Sequence, residues 1–149
     1  MTGSDKIDIV LVEDTQEDAE LAIRVLGKNG FAQSLVHLRD GEDALNFIFC
    51  KGDYEGRSFG APPRLILLDL KMPKVDGIEV LRQVKSDPRT QAIPVVLLTS
   101  SNQDRDIAES YRLGANSYIV KPVEFDAFVK ALSFISQYWL LLNQMPHKQ

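Results

Sequence analysis

Five short runs rich in Val, Ile and Leu, separated by segments of helical amphipathic spacing, constrain this chain more than any other feature. The runs are Ile7–Val12, Ser34–Leu38, Leu65–Asp69, Val95–Thr99 and Ser117–Val120. Three are nearly apolar on both sides, the pattern of parallel strands covered by helices on both faces. Between them, Asp18–Lys28 sets Ala19, Ala22, Ile23 and Leu26 at helical spacing. Asp43–Phe49 does the same with Ala44, Leu45 and Ile48, and Gly77–Lys85 with Ile78, Val80, Leu81 and Val84. Asp104–Leu113 and Phe125–Leu142 complete the set. Strand-then-helix alternation of this kind predicts an α/β fold, a doubly wound parallel sheet of five strands with right-handed crossovers.

With 149 residues, 44% of them hydrophobic and 26% charged, the chain suits one globular domain that folds without a metal or disulfide staple, so any metal would be functional. Seventeen Lys and Arg against 21 Asp and Glu give a net charge of −4, and no basic block is long enough to track a phosphate backbone. That argues against direct nucleic-acid binding. The single Cys50 cannot form an internal disulfide and reads as a structural thiol in a reducing compartment. The first residues lack the apolar core of a signal peptide and no run is long enough to span a membrane, so the expected location is cytoplasmic. Cys50–Arg64, with three Gly and two Pro and no periodicity, reads as a long exposed loop, compatible with a binding loop or with a tolerated insertion.

In an open α/β sheet, ligands bind outside the carboxyl ends of the strands. Here those ends carry Glu13-Asp14, Asp69, Thr99-Ser100 and Lys121-Pro122. Three carboxylates converging on one edge repel one another unless a cation neutralises them, and a donor set of hard oxygens favours Mg²⁺ over zinc. Asp69 ends the apolar run Leu65-Ile66-Leu67-Leu68, which would hold it rigidly as a nucleophile toward phosphorus, with Glu13 and Asp14 as metal ligands. Mg²⁺ and Lys121 would neutralise the phosphoryl oxygens. The Thr99 hydroxyl, on a neighbouring strand end, can bond a phosphoryl oxygen, and Tyr118 is placed to fill the space a moving Thr99 leaves. Taken singly, an acidic pair is usually a solvated loop, and Asp14 or Thr15 could instead cap the first helix. His37 and His147 show no ligand or phosphodonor pattern, and neither a phosphate-cradling Gly-rich loop nor a dinucleotide fingerprint is present.

The run from Asp69 to Gly77, DLKMPKVDG, together with Glu13-Asp14, Thr99 and Lys121-Pro122, closely resembles the receiver domains of two-component response regulators over nearly the whole chain. The resemblance implies a flavodoxin-like sheet of strand order 2-1-3-4-5. It also implies that Asp69 is phosphorylated from a phosphohistidine of a sensor histidine kinase. Asp14 would bind Mg²⁺ directly, Glu13 through water, and the Lys71 carbonyl would be the third protein ligand. Lys121 would contact the phosphoryl group, its bond to Pro122 cis, and Thr99, Ser100 and Tyr118 would form the switch. The Cys50–Arg64 loop and the extended tail are similar to single-domain regulators paired with bacterial phytochromes. Ser100 stands where a smaller Ala or Gly is common, and Lys71 and Ser101 occupy positions that vary in the family with phosphoryl lifetime.

Only 28 residues follow Lys121, so a single receiver domain with a core at about 6–142 and no effector domain is expected, and output must be by contact. The last segment carries Phe128, Leu132, Ile135, Trp139 and Leu142 on one line and Ala127, Ala131, Phe134, Tyr138 and Leu141 on the next. That sector is wider than one sheet contact covers, which predicts a homodimer through Phe134, Tyr138, Trp139 and Leu141. Two other readings compete with the phospho-accepting switch. An aspartyl phosphatase would want a carboxylate two residues after its nucleophile, where Lys71 stands. A pseudo-receiver should have lost one of Glu13, Asp14, Asp69 or Lys121.

Overall fold

The computed structural model describes residues 6–72, 74–121 and 124–146. The apolar runs become β1 (Ile9–Val12), β2 (Leu35–Leu38), β3 (Leu65–Leu68), β4 (Val95–Thr99) and β5 (Ser117–Val120). All neighbours pair in parallel, in the order β2-β1-β3-β4-β5. Every side chain of β1, β3 and β4 is buried, whereas β2 and β5, at the edges, are half-covered. The central runs therefore lack alternation because both of their faces need apolar cover.

That cover divides by parity. Val10, Val12, Ile66, Leu68, Val95 and Leu97 point to one side and pack on α2 (Gly41–Ile48) and α3 (Gly77–Ser86). Ile9, Leu11, Leu65, Leu67, Val96 and Leu98 point to the other and pack on α1 (Gln16–Lys28) and α5 (Phe125–Gln137). The fourth helix, α4 (Asp104–Arg112), lies beside β5 and buries only Ser110. Consecutive crossovers reverse direction at β1 and β3, and so open a crevice at their carboxyl ends.

Side-chain oxygens start two helices close to that crevice. The Asp43 amide donates to Asp40 Oδ1 at 2.8 Å at the start of α2, and the Glu79 amide to Asp76 Oδ1 at 3.1 Å at the start of α3. Both helices begin with glycine because backbone passes where a Cβ would lie. At Gly41 that Cβ would stand 1.8 Å from the Val75 carbonyl oxygen, and at Gly77 2.1 Å from that of Asp69.

The Cys50–Arg64 segment is largely exposed, as expected, yet it is not loose: Tyr54 packs edge-on against Phe47 at 5.1 Å, and Phe59 against Phe49 at 6.3 Å. Arg57 lies 3.7 Å over the Phe47 ring and Arg89 4.2 Å over that of Phe59. Aromatic area and cation–π contact thus anchor a segment with no period of its own. One expectation needs correction: the last helix does not run uniformly to Leu142. After Gln137 the chain makes a π-helical turn, Tyr138–Leu142, closed by the Asn143 amide on the Tyr138 carbonyl at 2.7 Å. The wider turn rephases the stripe. Trp139 and Leu140 face the core behind α1 and α5, while Leu141 and Leu142 stand 66% and 69% exposed.

One half-buried cation ties α3 to the loop that follows it. Lys85 Nζ donates to the Gln91 and Ile93 carbonyls at 3.0 and 2.7 Å, and burial lowers its pKa from the ordinary 10.5 to about 8. A neutral amine keeps two N–H groups and so both bonds. The unfolded chain holds this proton up to a higher pH than the folded one, so folding gains stability as pH rises from about 8 to 10.5. Comparing urea midpoints of wild type and Lys85→Met across that range should show wild type gaining on the variant; parallel curves would mean the lysine is not depressed.

Candidate functional site

The carboxyl ends of β1, β3, β4 and β5 bring the expected groups together. Oxygens of Glu13, Asp14 and Asp69 all lie within 4.8 Å of one another. Glu13 and Asp69 are buried, whereas Asp14 is exposed. The donor set consists of hard carboxylate oxygens alone, which fits Mg²⁺ or Mn²⁺ and no thiophilic metal. Burial pushes the Glu13 carboxyl up to about 7, offset in part by its hydrogen bond from Lys121. A second cation in the pocket would draw that group back to its ionised form.

Lys121 sits at the centre of the pocket, its side chain only 10% exposed. Its Nζ donates to Glu13 Oε1 at 2.7 Å, Asp18 Oδ2 at 2.8 Å and Asp69 Oδ2 at 3.3 Å. Burial works against the charge, but the bonds to Asp18 and Glu13 outweigh it and hold the ammonium above the usual lysine range. The backbone supports the pocket from below. The Thr15 amide donates to Glu13 Oε2 at 3.1 Å, His37 Nε2 to the Glu13 carbonyl at 2.8 Å, and the Lys71 amide to Asp69 Oδ1 at 3.4 Å. Thr15 starts α1 without a side-chain capping bond, and its own amide is held by Glu13.

Thr99 ends β4 fully buried, and its Oγ1 accepts from the Ser101 amide at 3.3 Å. Tyr118 is half-buried, and its hydroxyl donates to the Ser101 carbonyl at 2.8 Å, so Ser101 joins the two side chains. Burial raises the Tyr118 pKa, which keeps that donor protonated. Ser100 is exposed beside them, and Pro122 lies outside the described residues together with its bond to Lys121. Sequence reasoning missed Asp18. The available signal was its position four residues after Asp14, one turn into α1 and on the side that faces the strand ends.

Five parallel strands in this order, with an acidic pocket at the reversal of the crossovers, place the molecule among doubly wound α/β receiver proteins. The chain belongs to the response regulator receiver domain family, which its residues 9–133 match. It is 41% identical over 146 residues to the probable methanogenesis regulatory protein FilR2 of Methanothrix harundinacea, covering 98% of this chain and 92% of the relative. Response regulator Rcp1 of Synechocystis is 39% identical over 138 residues, covering 93% and 92%. Among solved structures, the Mn²⁺-bound form of Rcp1 superposes with a TM-score of 0.85 at 39% identity, covering 93% of this chain and 98% of that one. The phosphorylated cyanobacterial phytochrome response regulator RcpA gives 0.87 at 37%, covering 95% and 99%. The chain is therefore a response regulator receiver, homologous to phytochrome response regulators.

Proposed function

We propose that this receiver is a phosphorylation-dependent switch in which Asp69 takes a phosphoryl group from a phosphohistidine of a sensor histidine kinase, one coupled to a phytochrome. The observation that carries the reading is the placement of Asp69: buried at a strand end, 3.3 Å from a lysine ammonium and within a cluster of three carboxylates. A carboxylate oxygen of Asp69 attacks phosphorus in line with the leaving imidazole; the O–P bond forms, the P–N bond breaks, and the imidazole nitrogen keeps the electron pair and takes a proton. Mg²⁺ held by Glu13, Asp14, Asp69 and the Lys71 carbonyl would offset the charge on the phosphoryl oxygens. Lys121 then exchanges a carboxylate for a phosphoryl oxygen, and the Thr99 hydroxyl donates to another. Because Thr99 and Tyr118 meet at Ser101, drawing Thr99 toward Asp69 moves the support under the tyrosine hydroxyl.

Output in this reading is contact made by the receiver domain itself, in the cytoplasm. Phe134, Tyr138 and Leu141 are 71%, 49% and 66% exposed on one side of α5 and its terminal turn, an apolar area that a second copy of the chain would cover. Trp139 contributes from behind, since it packs against the core.

Incubation with Mg²⁺ and acetyl phosphate, followed by intact mass and size-exclusion chromatography, tests both parts. Wild type should gain one phosphoryl group, and neither Asp69→Asn nor wild type with chelator should do so. Equal gain by Asp69→Asn would remove the acceptor assignment, and no gain by wild type would favour a phosphorylation-independent binding module. A monomer at every concentration would remove the dimer alone.

A further inference from the structure

We propose that Asp18 is a positioning residue for Lys121, the resting partner that holds the ammonium when a metal ion claims the other carboxylates; this rests on the metal-assisted reading above. The geometry sets the problem. An ammonium has three N–H donors, and Lys121 directs them at three carboxylates: Glu13, Asp18 and Asp69. Two of those, Glu13 and Asp69, belong to the cluster that fits a divalent cation, and Asp18 does not. Metal entry therefore competes with Lys121 for both of its buried partners.

Asp18 is suited to receive what the metal displaces. It stands on the first turn of α1, a rigid element whose N-terminus favours negative charge, and its side chain is 39% exposed, so it remains hydrated whether or not a cation occupies the pocket. With Asp18 as anchor, Lys121 gives up Glu13 and Asp69 yet stays within the pocket with two donors free. Those donors face the space an incoming phosphoryl group must occupy. Without Asp18 the ammonium would have no carboxylate outside the metal cluster and would hold Glu13 and Asp69 against the metal.

The test is a double-mutant cycle on metal affinity, read by calorimetry without any phosphoryl donor. Asp18→Asn should weaken Mg²⁺ binding about tenfold in wild type, a coupling within the range seen for groups that share a network. In Lys121→Met the same change should shift affinity less than about twofold, because the group through which Asp18 acts is gone. Asp18→Glu should recover part of the loss. A drop of equal size in both backgrounds would show a plain through-space effect of charge and overturn the proposal, as would no drop in wild type. Phosphoryl uptake by wild type, measured alongside, separates the two readings: uptake without coupling removes the role of Asp18 and leaves the switch, whereas coupling without uptake removes the switch and leaves Asp18 as a partner of Lys121.

Discussion

Replacing Lys121 with Met should cost the metal-free protein about 3 kcal/mol of stability, the lower end of the range for deleting one member of a buried ion cluster. Three carboxylates lose their shared cation at once, two of them nearly inaccessible to water. The cost stays at the lower end because Glu13 accepts a proton readily in this setting and Asp18 keeps its water. A receiver of this size retains enough stability to stay folded. Saturating Mg²⁺ should recover most of the loss by returning positive charge to Glu13 and Asp69. Urea unfolding with chelator and with Mg²⁺ reads both effects; equal midpoints for wild type and variant in chelator would show that the cluster contributes nothing. Phosphoryl uptake should fall about hundredfold even with metal present, as when one charge-stabilising donor is removed from a transfer site.

A change far smaller in size, Gly77→Ala, should be at least as damaging. The added methyl would lie 2.1 Å from the Asp69 carbonyl oxygen and 2.7 Å from Leu70 Cα, both backbone atoms that no rotamer change can move aside. The same glycine donates its amide to the Leu70 carbonyl at 2.9 Å, so α3 and the end of β3 are bonded at the point of contact. Parting them costs roughly 3 kcal/mol or more, at or above the usual overpacking penalty. It also shifts the backbone that carries Asp69, so metal affinity should fall with stability. Gly56→Ala, where no heavy atom lies within 4 Å, is the control and should leave the urea midpoint nearly unchanged. A Gly77→Ala protein as stable as that control would mean the loop yields freely and does not position the acceptor.

These effects show where legibility in the sequence ends. Val95–Thr99 and Ser117–Val120 are strands with the bounds their residues indicate, and the helical segments differ at their ends, the last giving way to a π-helical turn after Gln137. The acidic pair, Asp69 and Lys121 were visible because each follows a strand-like run, and a parallel sheet sends all such ends to one edge. Asp18 was harder to see, since an acidic residue in a first helical turn is ordinary and its spacing from Asp14 gains meaning only when the fold brings Lys121 within 2.8 Å of it. The fixing of the Cys50–Arg64 segment was likewise hidden, because its aromatics have no period and gain their partners from α2 and the segment after α3.

The chain alone settled which segments are strands and helices, that the sheet is parallel, and that oxygen-rich chemistry gathers at its carboxyl edge, because periodicity and burial demand act over a few neighbouring residues. The folded molecule decided the rest: that Lys121 is shared among three carboxylates, that Gly77 leaves no room for a methyl, and that a π-helical turn sends Trp139 inward while Leu141 and Leu142 stay out. Such facts depend on distances of a few ångströms between segments far apart in sequence, and packing, which no local pattern encodes, sets them.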